Sequence, residues 1–169
     1  MTLLRDLGPA LSPFNAFLVL QGLETLPLRM KQHCATARAV ADWLAARPEV
    51  SRVIYPSHMR ERDGELAAKY LSAGQGGLLG FELHGGAAAG RRFIDALQLF
   101  YHVANIGDAR SLAIHPASTT HSQLAEGDQM ASGVSPGYVR LSIGLEHVDD
   151  LIADLDQALS ASALRAAAE

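Results

Sequence analysis

Residues 137–159 read GYVRLSIGLEHVDDLIADLDQAL. The first part alternates. Val139, Leu141 and Ile143 fall on one side of an extended chain, and Tyr138, Arg140 and Ser142 fall on the other. The alternation predicts a strand over 138–143 with its apolar face turned to a core. From Val148 the apolar residues recur at helical spacing, which predicts a helix over 148–159. Asp149 and Asp150 stand in its first turn, where the helix dipole favours negative charge.

Working back from this pair, the same two periods recur with short connections. Strands are predicted over 111–114, stopped by Pro116, over 100–104, over 78–83 and over 50–55. Helices are predicted over 87–97, over 61–71 and from a Ser122 cap to about Ala131. The glycine-rich stretch 74–77 precedes a strand and not a helix, so it reads as a turn rather than a phosphate cradle. Ser12-Pro13 opens a long N-terminal helix, since serine caps well and proline is tolerated in the first turn. Pro27 should kink or divide it. Met30, Cys34, Ala37, Val40, Ala41 and Leu44 then repeat at helical spacing as far as Arg47, which makes Cys34 a small core hydrophobe. The fold class expected is α+β: a small, largely antiparallel sheet covered by helices on one face, preceded by a long N-terminal helix. The expected divisions are an N-terminal arm over 1–12, a long kinked linker helix over 13–47, a C-terminal α+β domain over 48–160 and a frayed alanine-rich tail over 161–169.

Composition narrows the function. Apolar residues are 49% and charged residues 19%, the balance of a globular chain. Net charge is −4 and no basic run exceeds Arg91-Arg92, so the footprint of a nucleic-acid binder is missing and an anionic membrane surface is disfavoured. The opening residues lack a signal-peptide pattern and no apolar run approaches a membrane span, so a cytoplasmic location is expected. The one cysteine excludes an internal disulfide and a multi-thiolate zinc site. His115 and His121 share a loop but have no third ligand at metal spacing, so no metal is expected.

Two features could carry chemistry. Arg140 leaves the sheet on the face away from the apolar set, held on rigid backbone. Its guanidinium suits bidentate recognition of a carboxylate, or else a structural or surface ion pair. The stretch His115-Pro-Ala-Ser-Thr-Thr-His121 could orient a small substrate, or its hydroxyls could satisfy their own turn.

The blocks LGPALSPFNAFLVLQGLETLPLRM (7–30), GDARSLAIHPASTTHSQL (107–124) and GYVRLSIGLEHVDDLIADLDQAL (137–159) resemble the trans-sulfuration enzymes of Cys/Met metabolism that use pyridoxal phosphate. The form NIGDARSLAIHPASTTHSQL is most similar to their O-acetylhomoserine sulfhydrylase branch. The resemblance implies the smaller, C-terminal domain of an aspartate-aminotransferase-like (fold type I) enzyme. That enzyme exchanges acetate at Cγ for sulfide or methanethiol, which makes homocysteine or methionine. The resemblance also implies that Arg140 clamps the substrate α-carboxylate, with Asn105 beside it and Thr120 at the border of the site. It further implies oligomers with shared sites. The family's Schiff-base lysine stands in a Ser-x-Thr-Lys context that is absent here. The lysines present are Lys31 and Lys69, and neither matches. No catalytic or cofactor-binding residue is therefore assigned, and the expected partner is an N-terminal cofactor domain beyond these residues. Pyridoxal phosphate is expected in the full-length enzyme and not on this chain alone, which is expected to be inactive. Other readings are one chain of a split enzyme, or a non-enzymatic module that binds a small amino acid.

Overall fold

The structure is a computed structural model and describes residues 2–8 and 10–164. A short helix, α1 (Thr2–Leu7), lies within the stretch read as an N-terminal arm. Helix α2 (Pro13–Glu24) follows, capped by Ser12, whose Oγ accepts from the Asn15 N–H at 3.2 Å. Thr25 breaks the helix, and α3 (Leu26–Ala45) starts anew with Pro27 in its first turn, where its missing N–H leaves no bond unmade.

The rest builds a five-stranded sheet: β1 (Val50–Ile54), β2 (Leu78–Leu83), β3 (Tyr101–His102), β4 (Leu112–Ile114) and β5 (Tyr138–Ser142). The spatial order is β1-β2-β5-β4-β3, and only β3 and β4 run parallel. Between the strands lie α4 (Glu61–Tyr70), α5 (Gly86–Ala96), a 3-10 turn over Pro116–Ser118 and α6 (Glu126–Ala131). Helix α7 (Val148–Leu164) closes the chain.

One face of the sheet carries Leu79, Phe81 and Leu83 from β2, Val139 and Leu141 from β5 and Ala113 from β4. Helices α3, α5 and α7 bury it with Val40 and Leu44, Phe93 and Ile94, and Leu151, Leu155 and Leu159. Phe81 and Phe93 meet edge to face at 5.4 Å between ring centroids, a favoured aromatic geometry. Arg140 therefore stands on the face opposite these helices.

The structure departs from the sequence expectations at several boundaries. On α3 the buried stripe is His33, Thr36, Ala37, Val40, Ala41 and Leu44, while Met30 is exposed and Cys34 only half-buried. His33 turns the stripe inward by donating from Nδ1 to the Ile143 carbonyl at 2.6 Å. The strand expected over 100–104 is confined to Tyr101–His102, because the chain then leaves the sheet edge. Ser122 does not cap α6. Its Oγ donates to the Thr119 carbonyl at 2.8 Å, and the Gln129 amide gathers the carbonyls of Ala117, His121 and Leu124, so residues 119–124 close as turns. Helix α7 outruns its expected end at Leu159. Buried Ser162 donates to the Leu159 carbonyl and its own carbonyl accepts from Arg92 Nε, so residues beyond Leu159 stay helical. Of the expected frayed tail, 165–169 lie outside the described residues, as do Met1 and Pro9 of the arm.

Candidate functional site

Arg140 sits mid-strand on β5 with Gly80 of β2 opposite on one side and Ile114 of β4 on the other. A residue paired on both flanks has almost no backbone freedom, so its side chain starts from a fixed point. Its Nη2 donates to the Asn105 carbonyl at 3.0 Å. Among the described residues no carboxylate lies within 4.0 Å of the guanidinium, so the ion-pair reading does not hold here. Arg140 Nε is buried and has no partner among the described residues. A buried guanidinium N–H without an acceptor is costly, so the site holds Arg140 at some expense.

Asn105 belongs to the exposed stretch 103–110, which leaves β3 and returns to β4. This loop is exposed but tied down. The Gly107 N–H donates to Ser142 Oγ at 3.1 Å, and the Leu145 N–H donates to the Ala109 carbonyl at 2.8 Å. Its far end is locked by Glu146, whose carboxylate accepts from the Ser111 N–H and the Ser111 hydroxyl, both at 2.8 Å. Ser111 Oγ in turn accepts from the Gly144 N–H. Bonds from β5 and the turn after it thus set the Asn105 carbonyl against Arg140. The structure brings Arg140 and Asn105 together through the Asn105 backbone.

Thr120 lies on the exposed turn after the 3-10 segment, which packs against β5. Its Oγ1 is 2.9 Å from His121 Nδ1, and no hydrogen bond joins it to Arg140 or Asn105. The other hydroxyls here serve the turn itself. Thr119 donates to the His115 carbonyl, and Ser122 donates to that of Thr119.

His115 is buried on the opposite face. Nε2 donates to the Pro136 carbonyl at 2.7 Å, and Nδ1 accepts from Ser118 Oγ at 2.8 Å. A Cβ on Gly90 of α5 would run into the ring, so glycine there lets the helix close on His115. Burial pushes its pKa below the usual histidine value, with Arg91 and His102 adding to that and the Pro136 bond opposing it. His115 is a neutral structural residue.

Asp154 on α7 drew no notice in the sequence. Its carboxylate accepts from the N–H groups of Gln98, Leu99 and Phe100 at 2.9, 2.8 and 3.2 Å and fixes the turn between α5 and β3. An aspartate on the flank of an amphipathic helix carries no signal of such a long-range partner.

The described residues do not fit a pyridoxal phosphate site. Lys31 is exposed on α3, which packs on the face away from Arg140, and Lys69 is exposed on α4 with its ammonium over the Tyr70 ring. No group of three metal-ligating side chains occurs among the described residues. No helix among them is long and apolar enough to cross a membrane.

The family model for the Cys/Met metabolism PLP-dependent enzymes matches residues 1–160. The chain is 54% identical over 157 residues to an O-acetyl-L-homoserine sulfhydrylase of Leptospira meyeri, which covers 92% of this chain and 36% of that protein. Against O-acetyl-L-homoserine sulfhydrylase 1 of Thermus thermophilus it is 51% identical, covering 93% and 37%. Against an L-methionine gamma-lyase of Pseudomonas putida it is 49% identical, covering 95% and 40%. A Campylobacter jejuni protein assigned as an O-acetylhomoserine (thiol)-lyase superposes with a TM-score of 0.84 at 48% identity, over 94% of this chain and 38% of that one. Its crystal structure contains an N'-pyridoxyl-lysine-5'-monophosphate. The chain thus spans 36–40% of the length of these relatives.

Proposed function

The chain belongs to the Cys/Met metabolism PLP-dependent enzyme family, and from that premise we propose that it is the substrate-carboxylate-binding C-terminal domain of an O-acetylhomoserine (thiol)-lyase. The observation that carries this reading is the state of Arg140: fixed on a central strand, aimed off the helix-free face, bound to one carbonyl and unpaired with any described carboxylate. In a γ-replacement the amino acid must be held while acetate leaves and a thiol enters at Cγ. A planar guanidinium that grips the α-carboxylate through parallel N–H bonds sets the orientation of Cα and Cβ. Asn105 steers the guanidinium through its carbonyl, and Thr120 borders the same region. We assign the divisions 1–12, 13–47, 48–160 and 161–169 to arm, linker helix, domain and tail. We also assign the chain to the cytoplasm and to an oligomer completed by a cofactor domain.

Pyridoxal phosphate is the cofactor of the family, and the lysines here do not fit its attachment. Chemistry therefore falls to residues beyond those given, and the chain by itself is inactive in this reading. What its own residues do is bind and orient.

The test is calorimetric titration of the chain with O-acetyl-L-homoserine and with its methyl ester. Binding should require the free carboxylate. Arg140→Ala should weaken it by about ten- to a hundredfold, the worth of charge-assisted bonds at roughly 1.5–3 kcal/mol. Arg140→Lys should recover only part, since a point charge lacks the fork. Equal affinity of acid and ester, or of wild type and Arg140→Ala, sinks the reading.

A further inference from the structure

Tyr138 shares the face of Arg140 on β5, and its pairing partner on β2 is Glu82, one pleat along from Gly80. The Tyr138 ring does not stand up from the sheet. It leans toward Gly80, the residue directly opposite Arg140. A Cβ built on Gly80 would run into Cε2, Cζ and Oη of Tyr138, and these are the three nearest atoms it would meet. Gly80 thus leaves a vacant place beside the stem of Arg140, and the phenol fills it. On the other flank stands Ile114 of β4, 3% exposed. Between these walls Arg140 Nε is shut off from water with no partner among the described residues, while Nη2 reaches the Asn105 carbonyl. Burial raises the Tyr138 pKa, with the Arg140 charge opposing that, so the phenol stays neutral beside the guanidinium.

We propose that Tyr138 is a positioning residue for Arg140: its ring, seated in the space that Gly80 leaves open, holds the guanidinium in the pose that a substrate carboxylate meets. This rests on the carboxylate-binding reading of Arg140. A flexible arginine must lose rotamer freedom when it binds, and a ring packed along its stem removes that freedom beforehand. The ring is the active part and the hydroxyl is incidental. Gly80 acts through the ring, because the three nearest atoms its missing Cβ would meet all belong to Tyr138.

The experiment follows the Arg140 Nε–Hε group by 15N heteronuclear relaxation in the 169-residue chain, beside binding of O-acetyl-L-homoserine and thermal melting. Wild type and Tyr138→Phe should show an ordered Nε–Hε and equal affinity. Tyr138→Leu and Gly80→Ala should each free the Nε–Hε and weaken binding by about tenfold, as loss of preorganisation predicts. The double variant Gly80→Ala/Tyr138→Leu should be no worse than Tyr138→Leu alone, since the new methyl then has no ring to displace. If Tyr138→Leu fails to fold, Gly80→Ala carries the same test, because it shifts the ring without removing it. An Nε–Hε as ordered in the ring-displacing variants as in wild type overturns the positioning role and leaves the carboxylate reading intact. Undiminished binding by Arg140→Ala overturns the carboxylate reading instead, whatever the relaxation data show.

Discussion

At the scale of single residues, a few polar side chains with distant partners pin the connections between elements. Asp154 accepts three backbone N–H groups, one of them from buried Phe100. Replacing it with alanine strands those donors, and a buried unsatisfied donor is expensive. Asp154→Ala is expected to cost on the order of 3 kcal/mol in urea unfolding, with an unchanged m-value; a loss below about 1 kcal/mol would contradict this account. His115 makes a pH-dependent contribution. Its folded pKa lies below the unfolded value near 6.5, so the unfolded chain takes up the proton first as pH drops. The contribution is complete above about 6.5 and is lost as pH falls from there through the lower folded value. The melting midpoint should therefore fall between about pH 7.5 and 5.5, and His115→Gln should shrink that fall. A drop of the same size in the variant would remove His115 from the explanation. Alternation alone puts Arg140 on the face away from the apolar set, and only the resemblance gives it a carboxylate to hold. Tyr138 is legible only as its neighbour on the face, because the glycine beneath its ring lies on another strand.

At the scale of elements, α2 is the anomaly. It has no buried residue, and Phe14, Phe17 and Leu20 are 68%, 53% and 59% exposed. An apolar helix without a partner drives association. In sedimentation velocity the chain should self-associate, and Phe14→Ser/Phe17→Ser/Leu20→Ser should abolish that. The melting midpoint should stay within about a degree, because surface changes of this kind barely touch a core. Association that survives the triple change would place the contact elsewhere. The boundary after Thr25 was legible from Pro27 and that before Pro13 from Ser12. The beginning of α6 was not. Ser122 looks like a cap, and the bonds that turn it to other use come from Thr119 and from the Gln129 side chain.

At the scale of the whole molecule, the sheet separates two tasks. One face is sealed by α3, α5 and α7 and supplies the stability. The other presents Arg140, with the 103–110 loop stitched over Ser142 beside it. Both lysines lie exposed on helices, and neither is on the face that presents Arg140. Incubation with pyridoxal phosphate, borohydride reduction and peptide mapping should give no stoichiometric adduct at Lys31 or Lys69. A stoichiometric adduct at either would mean that this chain carries its own cofactor, and the division of labour proposed here would fall.

The sequence by itself determined the periods: alternation in 138–143, helical spacing in α3 and α7, and the proline breaks between elements. These follow from backbone geometry and from the cost of leaving apolar surface in water, which act locally and leave a local record. It also determined the family, through blocks that survive as residue order. Only the tertiary structure decided which face of α3 is buried, which strand flanks Arg140, and where the carboxylates of Asp154 and Glu146 find their donors. Those choices depend on pairing between residues far apart in the chain. A glycine on β2 or a carbonyl at Asn105 acquires a role only when the fold sets it against Tyr138 or Arg140.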